Sequence, residues 1–139
     1  ILIDKDLNIK ATAKNKIEIV DAGMNDLIRP ALYDAFHQIL PLKALGTGSK
    51  AERVDVVGPI CESGDFFAKD RLLPQVKEGD YLALMGAGAY GFSMSSNYNS
   101  RLRAAEVMVV KDNYFIIRKR ESHEDLLRNE EIPAFLFGL

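Results

Sequence analysis

One cysteine in 139 residues, Cys61, excludes an internal disulfide and gives no sign of a secreted scaffold stapled by such bonds. Long hydrophobic runs are missing as well, since nothing approaches the roughly 18 to 20 apolar residues that span a bilayer. Nor is charge of one sign in excess. Eighteen Lys and Arg face 20 Asp and Glu, a formal net charge of −2, which argues against nucleic acid or an anionic membrane recognised through bulk electrostatics. No repeat and no Pro/Gly/Ser-rich linker interrupts the chain. The two histidines, His37 and His123, have no ligand-like spacing to Cys61, so no metal site is expected and both read as surface or capping groups. What is present is an ordinary globular composition, 47% hydrophobic and 27% charged, which removes disorder, collagen and coiled coil, at a length of about one domain. The chain opens on Ile1 with no basic stretch ahead of an apolar one, from which we expect no signal peptide and an omitted start.

The pattern along the chain is mostly that of short strands. Residues 1–16 read as a strand or hairpin remnant followed by an exposed loop. Ile17, Ile19 and Val20 are β-formers, and Asp21-Ala22-Gly23 punctuates the run. Met24 to Ile28 suits one helical turn before Pro30, and Ala31 to Phe36 a second. His37 to Leu42 resumes a strand-like run, Gly46 to Lys50 is a turn, and Arg53 to Pro59 a β-branched strand. Lys77 to Asp80 turns into a strand at Tyr81 to Met85. Ala105 to Val110 and Tyr114 to Arg118 form a hairpin around Lys111-Asp112-Asn113. Ser122 with Asp125 looks like a helix cap opening a short helix to about Glu131. About six strands and only brief helices predict a mainly β domain, a small barrel or sandwich.

Three segments carry residues with chemical potential. Gly86-Ala87-Gly88-Ala89-Tyr90-Gly91 matches the dinucleotide-binding spacing and follows a strand, with Asp112 about twenty residues on. Phe92 to Arg103 nevertheless offers serines and asparagines instead of the helix that must meet a pyrophosphate, so a loop approaching some ligand competes with a tight turn. Cys61 precedes Glu62, with Asp65 and Asp70 following. A lone cysteine is commonly a small buried hydrophobe; if it does chemistry, a carboxylate beside a thiol disfavours the thiolate, which suits a proton donor better than a nucleophile. Arg29 and Tyr33 stand four residues apart, on one face of a helical turn. A planar fork plus a hydroxyl can grip a carboxylate, and the alternative is a surface arginine lying over a core tyrosine. Arg118-Lys119-Arg120 reads as a solvated strand end.

Taken in order, DAGMNDLIRPALYDAFH from Asp21, VVGPICESGDFFAKD from Val56 and GAYGFSMSSNYNSR from Gly88 resemble the C-terminal β-barrel domain of the diaminopimelate decarboxylase family. These are enzymes of the alanine-racemase-like fold that use pyridoxal 5'-phosphate (PLP) and pair an N-terminal α/β barrel with this domain. The resemblance runs from about Ile17 to the C-terminus. It implies that residues 1–139 are one C-terminal domain, part of a cytoplasmic homodimer that converts meso-2,6-diaminopimelate to L-lysine and CO2, with no nucleic-acid or membrane partner. It further implies that Arg29 and Tyr33 bind the distal carboxylate of the substrate, that Glu62 binds its distal ammonium, and that Cys61 delivers a proton after CO2 leaves. Cys61 and Glu62 would reach the site across a dimer interface. Tyr90 would contact both the cofactor phosphate and the substrate. Related ornithine and arginine decarboxylases usually carry aspartate after the cysteine, so the Cys61-Glu62 pair favours a substrate with a second amino-acid head. Leu102 departs from the proline frequent in the family. The glycine-rich phosphate cup and the Schiff-base lysine are not in this sequence, and the resemblance assigns them to the α/β barrel, so the fragment alone is expected to be inactive. Two alternatives stay open: a decarboxylase of ornithine, arginine or carboxynorspermidine on the same fold, and a non-catalytic binding or regulatory module.

Overall fold

The computed structural model describes residues 1–11, 15–43 and 50–138. The turn expected at Gly46 to Lys50 lies outside them apart from Lys50. The described residues divide into two units, Ile1–Ser96 and Asn97–Leu139.

The first unit is a mixed sheet. Its strands are β1 (Leu2–Ala11), β2 (Lys16–Val20), β3 (Ile39–Pro41), β4 (Ala51–Val57), β5 (Phe66–Pro74) and β6 (Tyr81–Leu84), hydrogen-bonded in the order β3-β6-β1-β2-β4-β5. Every neighbouring pair is antiparallel except β2 and β4, which run parallel with Glu18 opposite Val56. The two end strands, β3 and β5, approach each other, so the sheet nearly closes into the expected barrel. Period-two alternation explains which side chains fill it: Val54 and Val56 of β4, Val20 of β2, and Phe67 of β5 are all fully or almost fully buried. β6 departs from alternation, with Leu82, Ala83 and Leu84 all buried.

The same rule buries charge. Asp4 and Asp6 on β1 and Glu18 on β2 occupy inward positions, each no more than 2% exposed; among the described residues their carboxyl oxygens have no hydrogen-bond partner, and Lys16 Nζ stands 3.8 Å from Glu18 Oε1. Burial, reinforced by repulsion from Asp21, Asp6 and Asp26, pushes Asp4 up to about 8. Burial likewise raises Glu18 to about 7 and Asp6 to about 6.

One helix interrupts the sheet. The sequence suggests helical turns over Met24 to Ile28 and Ala31 to Phe36, whereas α1 spans Arg29–Tyr33 with Pro30 in its first turn and Asp34, in the left-handed region at φ 52°, ending it. Pro30 thus opens the helix rather than closing one, because the amide it lacks would be unpaired there anyway. The described residues hold eight strands where about six are expected: β1 takes up most of the leading segment, which reads as a strand or hairpin remnant, and β5 has no counterpart in the sequence pattern.

The second unit contains the expected hairpin, β7 (Glu106–Val110) with β8 (Asn113–Arg118), and helix α2 (His123–Leu127). Ser122 caps α2 in a full capping box: its hydroxyl accepts from the Asp125 amide and the Asp125 carboxylate accepts from the Ser122 amide at 2.8 Å. Around Asn97, a carboxylate organises the loop. Glu121 accepts from the Asn97 amide nitrogen at 2.6 Å, from the Arg103 backbone at 2.8 Å and from the Arg103 guanidinium at 2.6 Å. Arg103 and these hydrogen bonds hold Glu121 down at about 2.

Candidate functional site

Helix α1 begins on Arg29 and ends on Tyr33, and this single turn does what the spacing predicts. The guanidinium carbon lies over the Tyr33 ring, 5.6 Å from its centre, and over the Tyr90 ring at 5.2 Å. Tyr90 arrives from the glycine-dense loop after β6, some sixty residues away in sequence. Stacking engages the flat π face of a guanidinium and leaves its in-plane N–H donors for an anion. Both tyrosines are 60% exposed. Beside them runs an open groove of about 380 Å3, with Arg29, Phe36, His37, Gly86 and Tyr90 among its lining residues.

The glycine loop has its own reasons for its composition. Gly86 sits at φ 70°, a conformation that favours glycine, and a Cβ on Gly91 would stand 2.0 Å from the Ala87 carbonyl oxygen. No α-helix follows; Phe92–Met94 forms only a 3-10 turn, so the dinucleotide reading fails as the sequence suggests. Gly86 and Gly91 let the chain bend and carry Tyr90 to Arg29, whereas a Cβ on Gly88 would meet open space.

Cys61 and Glu62 lie on the β4–β5 loop, both exposed, and neither lines the groove. The buried-hydrophobe alternative for Cys61 is therefore overturned. What shapes this loop is Asp65, 4% exposed, whose carboxylate accepts from the Met24 amide at 2.6 Å and from the Ile60 amide at 2.6 Å. Gly58 permits the approach, since a Cβ there would stand 2.3 Å from that carboxylate. Asp65 therefore joins the segment leading into α1 to the loop that presents Cys61 and Glu62. Within it the Gly64 amide donates to Glu62 Oε1 at 3.2 Å. The sequence places Asp65 beside Cys61 and Glu62 without showing this bracing role; the signal for it is a Gly-Pro pair followed by an acid that ends the loop.

The histidines divide. The reading of His37 as a surface or capping group is corrected, because it is 5% exposed with Nδ1 2.9 Å from the Met85 carbonyl oxygen. His123 is exposed at the start of α2. Among the described residues no group of three or more His, Cys, Asp or Glu is arranged to hold a metal ion, and no helix is long and apolar enough to cross a membrane.

The donor set, one stacked guanidinium with two phenols, fits an anion of carboxylate or phosphate type, and no lysine stands among the groove-lining residues. The nearly closed sheet thus carries a guanidinium and two phenols, brought together from α1 and the loop after β6, and a thiol beside a carboxylate on the β4–β5 loop. Residues 2–88 match the family described as pyridoxal-dependent decarboxylase, C-terminal sheet domain, and the chain belongs to that family. It is 53% identical over 117 residues to a diaminopimelate decarboxylase of Methanothermobacter thermautotrophicus, covering 84% of this chain and 27% of that protein. Among solved structures, a diaminopimelate decarboxylase from Methanocaldococcus jannaschii in complex with L-lysine superposes with a TM-score of 0.90 at 43% identity, covering 97% of this chain and 30% of that one. That from Helicobacter pylori, also complexed with L-lysine, gives 0.81 at 45% identity, covering 99% and 32%. The chain thus spans about a third or less of the length of the relatives it matches.

Proposed function

We propose that this chain is the substrate-recognition and proton-delivery domain of an enzyme that decarboxylates meso-2,6-diaminopimelate to L-lysine and CO2. The observation that carries the reading is the convergence of Arg29, Tyr33 and Tyr90, from two distant segments, into one anion-gripping cluster. In this reading residues 1–139 form one domain, and the rest of the polypeptide is an α/β barrel holding the Schiff-base lysine. The enzyme works as a cytoplasmic homodimer.

Each residue has a chemical task. Arg29 offers paired in-plane donors to the distal carboxylate, and the Tyr33 hydroxyl adds a third. Glu62 pairs with the distal ammonium. A substrate lacking that second amino-acid head leaves both charges unpaired, which discriminates against simpler amino acids. The Tyr90 hydroxyl serves the cofactor phosphate and the substrate. PLP, when bound, supplies the sink for the electron pair left when the carbon–carboxylate bond breaks and CO2 departs. The same carbon then takes a proton from the Cys61 thiol, and solvent restores the thiol. Exposure of Cys61 and Glu62 on a braced loop suits delivery of both to the partner subunit's site.

The test uses the full-length PLP enzyme. Arg29→Ala is expected to raise KM for meso-diaminopimelate about a hundredfold or more, by removing a charge-assisted bidentate contact. Cys61→Ala is expected to lower kcat by about two to four orders of magnitude. Wild-type kinetics in both variants would overturn the reading, and turnover of ornithine or arginine in preference to diaminopimelate would replace the substrate.

A further inference from the structure

We propose that His37 is a positioning residue for Tyr90 and, through it, for the Arg29 site; the inference rests on the function proposed above. His37 stands just ahead of β3. A carbonyl can only accept, so the 2.9 Å contact with the Met85 oxygen requires that Nδ1 carry the proton and donate. The Met85 amide in turn donates to the Gln38 carbonyl at 2.8 Å. Both polar groups of the Met85 backbone are therefore committed to residues 37 and 38.

Met85 is the last residue before the glycine loop. Beyond it Gly86 turns the chain at φ 70°, and at the far end Gly91 closes against the Ala87 carbonyl. Tyr90 lies between these fixed points, its ring 5.2 Å from the Arg29 guanidinium carbon. Where the loop leaves β6 thus sets where the phenol stands, and His37 holds that departure point.

His37 is itself held from across the barrel seam. Arg71 of β5 donates from its guanidinium to the His37 carbonyl at 2.7 Å, and its carbon lies 4.1 Å from the centre of the Phe36 ring. A line of contacts thus runs from β5 through His37 and Met85 to Tyr90. The other imidazole nitrogen, Nε2, is buried with no hydrogen-bond partner among the described residues. The single polar task of the ring is the Nδ1–H bond, so a side chain that places an N–H donor where Nδ1 stands should suffice. Asparagine does so, while glutamine carries its amide farther out, at the level of Nε2, and leucine has none.

In the full-length PLP enzyme, His37→Leu is expected to raise KM for meso-diaminopimelate about tenfold with kcat within about threefold, the loss of one buried hydrogen bond, and to weaken PLP retention on dialysis, followed by cofactor absorbance. His37→Asn is expected to return KM and PLP retention to within about threefold of wild type, although its smaller volume lowers Tm as leucine does. Equal KM in the Asn and Leu variants would show that packing alone matters and overturn the proposal, as would wild-type KM in His37→Leu. Should the leucine variant not fold, His37→Gln takes its place with the same expectations. Arg29→Ala separates the two claims. Unchanged KM there overturns the reading of the site; raised KM there with unchanged KM in the His37 variants overturns only the role of His37.

Discussion

The β1–β2 carboxylates of the first unit and Glu121 of the second are handled in opposite ways. In the first, Asp4, Asp6 and Glu18 are sealed inside the sheet without hydrogen-bond partners among the described residues, and burial lifts them to about 8, 6 and 7. In the second, Glu121 is gathered by Arg103 and Asn97 and held at about 2. Core placement follows the same division. Every buried hydrophobic side chain lies between Val20 and Leu84, and among described residues 97–136 none is buried. The first unit is held by apolar packing that encloses these acids, with Lys16 3.8 Å from Glu18, and the second by polar contacts that leave its apolar residues outside. Substitutions should therefore act by cavity in one and by lost hydrogen bonds in the other.

The largest effect belongs to the packed unit. Phe67 is 1% exposed among Val20, Val54, Val56 and Leu82, so Phe67→Ala should cost about 3 to 5 kcal/mol in urea denaturation of the chain. A loss below about 1 kcal/mol would show that the sheet interior is not the core.

Second comes pH. Asp4, Asp6 and Glu18 sit above their ordinary values of 3.8 and 4.5 when folded, so folding takes up protons at these three groups. Their contribution is complete below about pH 4 and is lost as pH rises through about 6, 7 and 8. Glu121 works in reverse, contributing above its ordinary 4.5 and losing as pH falls towards about 2. The urea midpoint should accordingly be higher near pH 5 than at pH 8.5, and Asp4→Asn should flatten the decline above pH 6. A midpoint that climbs between pH 5 and 8.5 would contradict the burial of these groups.

Third, Glu121→Gln should cost about 1 to 2 kcal/mol, since it weakens charge-assisted bonds to Arg103 on a partly exposed carboxylate. The loss should vanish near pH 2, where the wild-type carboxylate is itself being protonated. Persistence of the full difference at that pH would mean that shape, not charge, holds the loop.

Legibility followed the same physics. Strands with clean alternation or apolar runs, such as β2, β4 and β6, were readable, as was the hairpin from its turn and α2 from its capping box. β5 was not, because Lys69-Asp70-Arg71 interrupts Phe66 to Pro74 and the register with β4 shifts there, Asp70 standing at φ 47°. The Arg29–Tyr33 pair was legible because a helical turn is local. Its union with Tyr90, the bracing by Asp65 and the burial of His37 were not, because each depends on contacts between residues about forty to sixty positions apart. The resemblance named Tyr90 where spacing could not.

The smallest expected effect tests the comparison at its weakest place. The hairpin reads as an apolar pair of strands, yet Val109 is 70% exposed, Tyr114 74% and Ile116 63%. Both faces carry such residues, because Val109 and Val110 are successive on β7 and point to opposite sides. A strand pair buried on neither face takes little stability from its side chains. Ile116→Lys should consequently change the urea midpoint of this 139-residue chain by no more than about 0.5 kcal/mol, against several for Phe67→Ala. A loss above about 2 kcal/mol would mean that Ile116 is packed in solution, and the division between a packed unit and a polar one would fall with it.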